Sequence, residues 1–345
     1  MPLYDAVADL PLEIESYELE RVEFVVTPTF TRVTTVVHIT GGGEEGIGED
    51  VTYTADDHPP PGELPLAGSH SLDSYSRLLD GLQLFAQEPE MEASRDYRRW
   101  AFESAALDLA LRQAGHSLAE AVGRDPLPVT FVASKHFGDP PSIEPVLKWL
   151  EAYPGVRFKL DPTSDWGDEL IDELAALAVV DTVDFKGQYK GTPVDQPADP
   201  QLYRRIAEAF PRAWIEDPAV TDESRPILEE HSSRVTWDAP IHSVQDIEDA
   251  PWPPRTINIK PSRFGSVQRL FEAYDYCAAH HIAAYGGGQW ELGPGRGHIQ
   301  YLASLFHPDT PNDVAPGGYN ATEPPPGLPT SPLEPQAAET GFRWG

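Results

Sequence analysis

Five short apolar runs in this chain stop on a charged residue. VRFKLD (156–161) carries Lys159, TVDFKG (182–187) Asp184, AWIED (213–217) Glu216, VTWDA (235–239) Asp238 and TINIK (256–260) Lys260. A single such residue marks only where a strand meets water. Five in the order Lys, Asp, Glu, Asp, Lys form a pattern: on neighbouring strands, three carboxylates would lie side by side with an ammonium on either flank. Carboxylates gathered at one mouth repel each other and need a cation, and an all-oxygen donor set suits a hard ion, Mg²⁺ foremost, with Mn²⁺ as the alternative. Cys277 is the only cysteine, which excludes a disulfide framework and a thiolate metal cage.

The elements that would position these residues begin at Pro126. VTFVAS (129–134) and IAAYGGG (282–288) bring the apolar runs to seven, and helical stretches such as SIEPVLKWLEAY, DELIDELAALAV, QLYRRIAEAF and VQRLFEAYDYCAAHH separate most of them. Strand–helix alternation at this spacing predicts a parallel α/β fold. Seven units, with an eighth expected after HIQYLASLFH, favour a closed (β/α)-barrel, in which all strand C-termini converge on the face that holds the site. The residues before Pro126 differ. EFVVTPTF and TRVTTVVHI are β-rich, GGGEEGIGED reads as a glycine-rich turn, PPPGELPL (59–66) is a stiff connector, and YRRWAFESAALDLALRQAG is helical up to Gly115. The expected organisation is an α+β capping domain over 1–125 and a (β/α) barrel over 126–319. The Pro-rich tail, about 320–345, is expected to pack back on the capping domain.

With 25 Lys and Arg against 56 Asp and Glu, the formal charge is 25 − 56 = −31. That field repels nucleic acid and anionic membranes, so neither is expected as a partner. The chain has no 18-residue apolar run, and MPLYDAVADLPLEIESYELE lacks the pattern of a signal peptide, so a cytoplasmic location is expected.

These motifs resemble the enolase superfamily in its muconate-lactonizing-enzyme-like subgroup. ESAALDLALRQAGHSLAEAVG (103–123) is similar to that family's last capping-domain helix and PLPVTFVAS to its first barrel strand. VRFKLD resembles the Lys-x-Lys strand, with Arg157 in the first lysine's place. DFK, WIEDP and TWDAP fall where the family keeps its metal carboxylates, and INIKPSRFGS matches the sixth strand, Lys-Pro-Ser-Arg-x-Gly-Gly, with Ser266 in place of the second glycine. GIGED (46–50) sits at the capping domain's Gly-x-Gly-Glu position. The resemblance implies a small carboxylate substrate, Asp184, Glu216 and Asp238 as metal ligands, and Lys159 and Lys260 as catalytic lysines on opposite faces of the substrate. It also implies removal of the proton α to the carboxylate through an enediolate. Further copies of the chain are expected as partners.

Three departures from the family pattern stand out: Lys186 where Asn is more usual, Ala239 where Glu is usual, and a third loop lengthened by GQYKGTPVDQP. Strand alternation would turn Lys186 toward the mouth with Asp184, and Asp161 is its expected acidic partner. Thr29, Phe30 and Arg32 fall where the family's capping loop closes over substrate, so Arg32 is a candidate for a distal carboxylate. Arg157, Lys186 and Glu291 are the other candidate substrate contacts; Glu291 is equally readable as a rim carboxylate. GGG (286–288) and GPGRG (293–297) lack P-loop spacing and read as close-approach loops. His298 reads as a weak site candidate or a helix-surface histidine. A lysine on each face favours racemisation or epimerisation of an amino-acid-like, N-acylamino-acid or dipeptide-like substrate. A lyase or cycloisomerase outcome through the same first step stays open, as does a silent ligand-binding barrel.

Overall fold

The computed structural model describes residues 2–28, 30–192 and 194–345; Thr29 lies outside the described residues. Strands β1 (Pro11–Ile14), β2 (Ser16–Thr27), β3 (Phe30–Gly41), β4 (Glu44–Asp50) and β5 (Gly68–Ser71) precede helices α1 (Leu72–Asp80) and α2 (Ala93–Ala114). β2, β3 and β4 form an antiparallel meander, and β1 pairs with β5. The glycine-rich segment is more than a turn: only Gly42 and Gly43 turn the chain, and GIGED is strand β4. Its glycines permit contact with α2. A Cβ on Gly46 would fall 2.1 Å from the Ala105 carbonyl oxygen, and one on Gly48 2.0 Å from that of Ala101. Because β4 lies flush on α2, its last residues, Glu49 and Asp50, are carried to the domain boundary fully buried.

All seven barrel runs form parallel strands: β6 (Ala133–Lys135), β7 (Phe158–Leu160), β8 (Val180–Asp184), β9 (Trp214–Glu216), β10 (Val235–Thr236), β11 (Thr256–Ile259) and β12 (Ala283–Gly286). β6 to β10 pair in chain order, as do β11 and β12. Parallel bridges Trp237–Ile257, Gly287–Asp313 and Phe131–Asn312 close the ring. Residues 312–313, after the helix Gly295–Phe306, therefore take the eighth strand's place. The strands are short because each departs at its C-terminal end into the loop that carries site chemistry. β11 shows how: Lys260 ends it, Pro261 begins the one-turn helix Pro261–Phe264, where a proline's missing N–H costs nothing, and Gly265 follows at φ 68°. That turn brings Arg263 to Asp238, just beyond the neighbouring strand β10.

The tail ends between the two domains. Phe342 is fully buried, edge-on to Trp100 of α2 and stacked on His298 of the barrel helix. Its N–H donates to Asp108 Oδ1 at 2.7 Å, and Arg343 Nε donates to Asp108 Oδ2 at 2.9 Å. His298 is thus not a surface residue; the tail covers it. Among the described residues no helix is long and apolar enough to cross a membrane.

Candidate metal centre and active site

Asp184, Glu216 and Asp238 are fully buried, and one carboxylate oxygen from each lies within 4.8 Å of the others. In-register pairing of Asp184 with Glu216 sets two of them level across the β8–β9 edge. The third is set by Asp217, whose carboxylate accepts the N–H groups of Asp238 and Ala239, both at 2.8 Å. Asp217 takes φ 47°, a left-handed conformation unusual outside glycine. This explains the pair of acids in WIEDP: Glu216 faces the barrel axis, and Asp217 braces the neighbouring strand's end. Burial, then Asp238 and Asp184, push the Asp217 carboxyl up to about 7.

The flanking lysines approach from two sides. Lys159 Nζ lies 3.0 Å from Asp184 Oδ2, contacts Glu216 Oε1, and is 3.7 Å from Asp313 Oδ2. Lys260 Nζ lies 2.9 Å from Asp238 Oδ2, and Arg263 Nη1 donates to Asp238 Oδ1 at 2.6 Å. Burial alone would lower the Lys159 ammonium, but Asp184 and Glu216 outweigh it and hold the ammonium well above its ordinary range. Burial likewise opposes ionisation of Asp238, yet Arg263 and Lys260 keep it well below the usual carboxylate range. Glu216 is pushed up by burial, which Lys159 only partly offsets. Two tyrosines complete the lining: Tyr285 OH donates to Glu216 Oε2, and Tyr189 OH donates to Asp238 Oδ2 at 2.8 Å.

Lys186 also reaches the cluster, though not by strand alternation. β8 stops at Asp184, and Lys186 follows at φ 54°; its N–H donates to Asp184 Oδ1 at 3.0 Å and its ammonium contacts Asp184 Oδ2. Asp161 Oδ1 is 3.7 Å from the same ammonium.

Three sequence candidates stand elsewhere. Arg157 is held by Asp181 and the Ala178 carbonyl and makes no contact with the carboxylates among the described residues. Arg32 spends all five N–H donors on backbone carbonyls: those of Val33 and Thr52 from Nη1, Val51 and Gln289 from Nη2, and Trp290 from Nε. A planar five-donor fork with five acceptors has nothing left for a substrate carboxylate. It clamps β3 to the loop after β12. Glu291 lies in that loop, where its Oε1 accepts the Gln289 N–H at 2.6 Å and Oε2 meets Arg296 at 3.1 Å. Glu49 holds the loop from the other side, accepting N–H groups of Leu292, Gly293 and Gly295 at 2.7–2.9 Å. Sequence reading missed Asp217, Arg263, Tyr189 and Tyr285 as parts of the site; Asp217 and Arg263 stand inside the motifs WIEDP and KPSRFG and were open to notice. Tyr189 sits in an irregular loop and Tyr285 in an ordinary apolar strand, and no local signal marks either.

Residues 5–121 and 125–321 match two families described as the N-terminal and the C-terminal domain of a domain of unknown function (DUF8230). The chain is 28% identical over 227 residues to an o-succinylbenzoate synthase of Bacillus subtilis (strain 168), covering 62% of this chain and 57% of that protein. It is 29% identical over 242 residues to an N-succinylamino acid racemase of Amycolatopsis sp, covering 65% of this chain and 60% of that protein. These matches span less than two thirds of either relative. Among solved structures, the dipeptide epimerase of Methylococcus capsulatus complexed with Mg ion aligns with TM-score 0.67 at 19% identity, covering 87% of this chain and 89% of that one. The muconate cycloisomerase of Pseudomonas fluorescens aligns with TM-score 0.63 at 17% identity, covering 97% and 93%. The chain belongs to the DUF8230 family, and its fold, a capping domain on a closed barrel, is shared with solved structures that include a member of the enolase superfamily from Listeria innocua.

Proposed function

We propose that this protein removes the proton α to a carboxylate and returns it to the opposite face, as a racemase or epimerase of an N-acylamino-acid or dipeptide-like substrate. The observation that carries this reading is the placement of two ammonium groups on opposite flanks of one carboxylate trio, Lys159 on Asp184 and Glu216, Lys260 on Asp238. The donor set fits a divalent ion: Asp184, Glu216 and Asp238 offer three buried oxygens within 4.8 Å of one another, and no softer ligand stands among them. When bound there, Mg²⁺ or Mn²⁺ would supply positive charge beside the substrate carboxylate and so favour the charge that develops as the α-proton leaves.

The chain's own residues do the rest. Lys159 accepts the proton on one face, and for this its ammonium must first surrender a proton that Asp184 and Glu216 now favour; neutralising those carboxylates moves the balance toward the free amine. Lys260 delivers a proton from the other face, with Asp238 and Arg263 fixing its position. Arg32 and Glu49 hold the loop after β12 over the mouth and limit water there. A second reading is elimination or cycloisomerisation from the same first step, favoured by the o-succinylbenzoate synthase relative; here one lysine suffices for the proton and the other stabilises charge.

The test is turnover of N-succinylamino acids, dipeptides and hydroxy acids in D₂O with Mg²⁺. Racemisation with deuterium uptake is expected in wild type; racemisation is abolished in both Lys159→Ala and Lys260→Ala, while one of the two retains deuterium exchange of a single enantiomer. Near-normal turnover in both variants refutes the two-lysine mechanism, and loss of water from a hydroxy acid without racemisation selects the second reading.

A further inference from the structure

Lys186 is the most exposed cation of the cluster, its side chain 19% accessible against 2% for Lys159 and 7% for Lys260. Two acids that differ in kind lie within its reach. Asp184 is a member of the carboxylate trio. Asp161 is not, and its Oδ1 is buried with no hydrogen bond among the described residues. The group facing Asp161 from the other side is exposed His136, with Nδ1 4.0 Å from Oδ2. We propose that Lys186 competes with the metal ion for Asp184, and that Asp161 is the alternative partner that receives Lys186 when the ion binds, so that these two residues, neither a ligand, set metal affinity. The inference rests on the metal reading of the trio.

The geometry carries it in three steps. First, Lys186 holds Asp184 Oδ2, which Lys159 also contacts at 3.0 Å, so a cation on Asp184 would add a third positive charge beside one carboxylate and repel the more exposed ammonium. Second, Lys186 cannot retreat with its backbone: its φ of 54° and the hydrogen bond from its N–H to Asp184 Oδ1 pin the main chain beside the trio. Only the side chain moves. Third, a destination is already built. From 3.7 Å, a shift of about 1 Å brings the ammonium to the charge-assisted distance from Asp161 Oδ1. An ammonium displaced without such a partner would stay near the ion or be forced into water; Asp161 gives the displaced charge a full ion pair. The Tyr189 ring, 5.3 Å from the ammonium, lines the path.

The test is calorimetric titration of Mg²⁺ into wild type, Lys186→Asn, Asp161→Asn and the double variant, each checked by circular dichroism. Asn tolerates the positive φ at 186, and Lys186→Gln serves as a second variant of the same charge. Removing Lys186 is expected to tighten Mg²⁺ binding about tenfold, and Asp161→Asn to weaken it about fivefold in wild type but less than about twofold beside Lys186→Asn, the mark of coupled residues. Binding detectable only in the Lys186 variants supports the proposal equally. An equal loss from Asp161→Asn in both backgrounds overturns it, since Asp161 would then act only through its charge. Unchanged affinity in both Lys186 variants, with wild type binding normally, overturns it while leaving the metal site standing. No binding in any variant overturns the metal reading as well.

Discussion

Arg32 separates two roles that the sequence alone confuses, a substrate clamp and a domain clamp, and Arg32→Met tests them. Methionine keeps the length of the side chain and its apolar contacts while deleting all five donors. Each bond from a charged donor to a carbonyl contributes about 1.5–3 kcal/mol, but five on one side chain do not add, and the abandoned carbonyls regain water in part. With two of the five left dry at about 1–3 kcal/mol each, the variant is expected to lose about 2–6 kcal/mol. At roughly 2 °C per kcal/mol for a chain of this size, its melting temperature should fall by about 4–12 °C. The clamp joins Val51 and Thr52 of the capping domain to Gln289 and Trp290 of the barrel loop. Faster hydrogen exchange is therefore expected in both segments together, measured by mass spectrometry. Turnover should fall through kcat, because the loop after β12 loosens. A variant that melts within about a degree of wild type, shows unchanged exchange and raises KM alone would refute this reasoning and return Arg32 to the substrate.

Glu216→Gln should weaken Mg²⁺ binding at least about tenfold, about 1.4 kcal/mol, in calorimetry; equal affinity would remove Glu216 from the ligand set. His298 is held down to about 3, by burial first and Arg343 second, and both ring nitrogens lack a hydrogen-bond partner among the described residues. Its folded pKa lies below the unfolded value of about 6.5, so its contribution is complete above about pH 6.5 and is lost as pH falls toward 3. His298→Phe should therefore match wild type at pH 7.5 and melt higher than wild type at pH 5; a lower melt at both pH values would show that the imidazole is needed. The charge of −31 predicts self-repulsion that salt relieves as the screening length falls from about 10 Å at 0.1 M to about 3 Å at 1 M. The melting temperature should rise steadily with KCl over that range, and a flat profile would refute a destabilising surface charge.

What was legible in the sequence follows the rules of regular structure, and what was not lies where those rules stop. The barrel runs showed themselves because a buried parallel strand needs a short apolar segment, and the carboxylate trio because each acid sits at the end of one. The eighth strand was expected only as a unit after HIQYLASLFH; its two bridging residues, Asn312 and Asp313, have no apolar run to announce them. GIGED was misread as a turn because glycine marks both turns and close approach, and only the α2 backbone at 2.0–2.1 Å from the missing Cβ atoms distinguishes them. Arg157 and Arg32 were placed near substrate by position in a motif, but position does not say which acceptors a guanidinium will find first. Arg157 found Asp181, and Arg32 found five carbonyls. Lys186 is the most instructive residue. Strand alternation put it at the mouth, and the ammonium is there, but the strand had already ended, and a left-handed backbone turned it back onto Asp184 instead. Period-two reasoning holds only while the ladder continues. Such a barrel ends its ladder at the residues that do chemistry, so sequence periodicity is least reliable in the one to three positions beyond each charged strand end, where Asp217 after Glu216, Lys186 after Asp184 and Arg263 after Lys260 all stand.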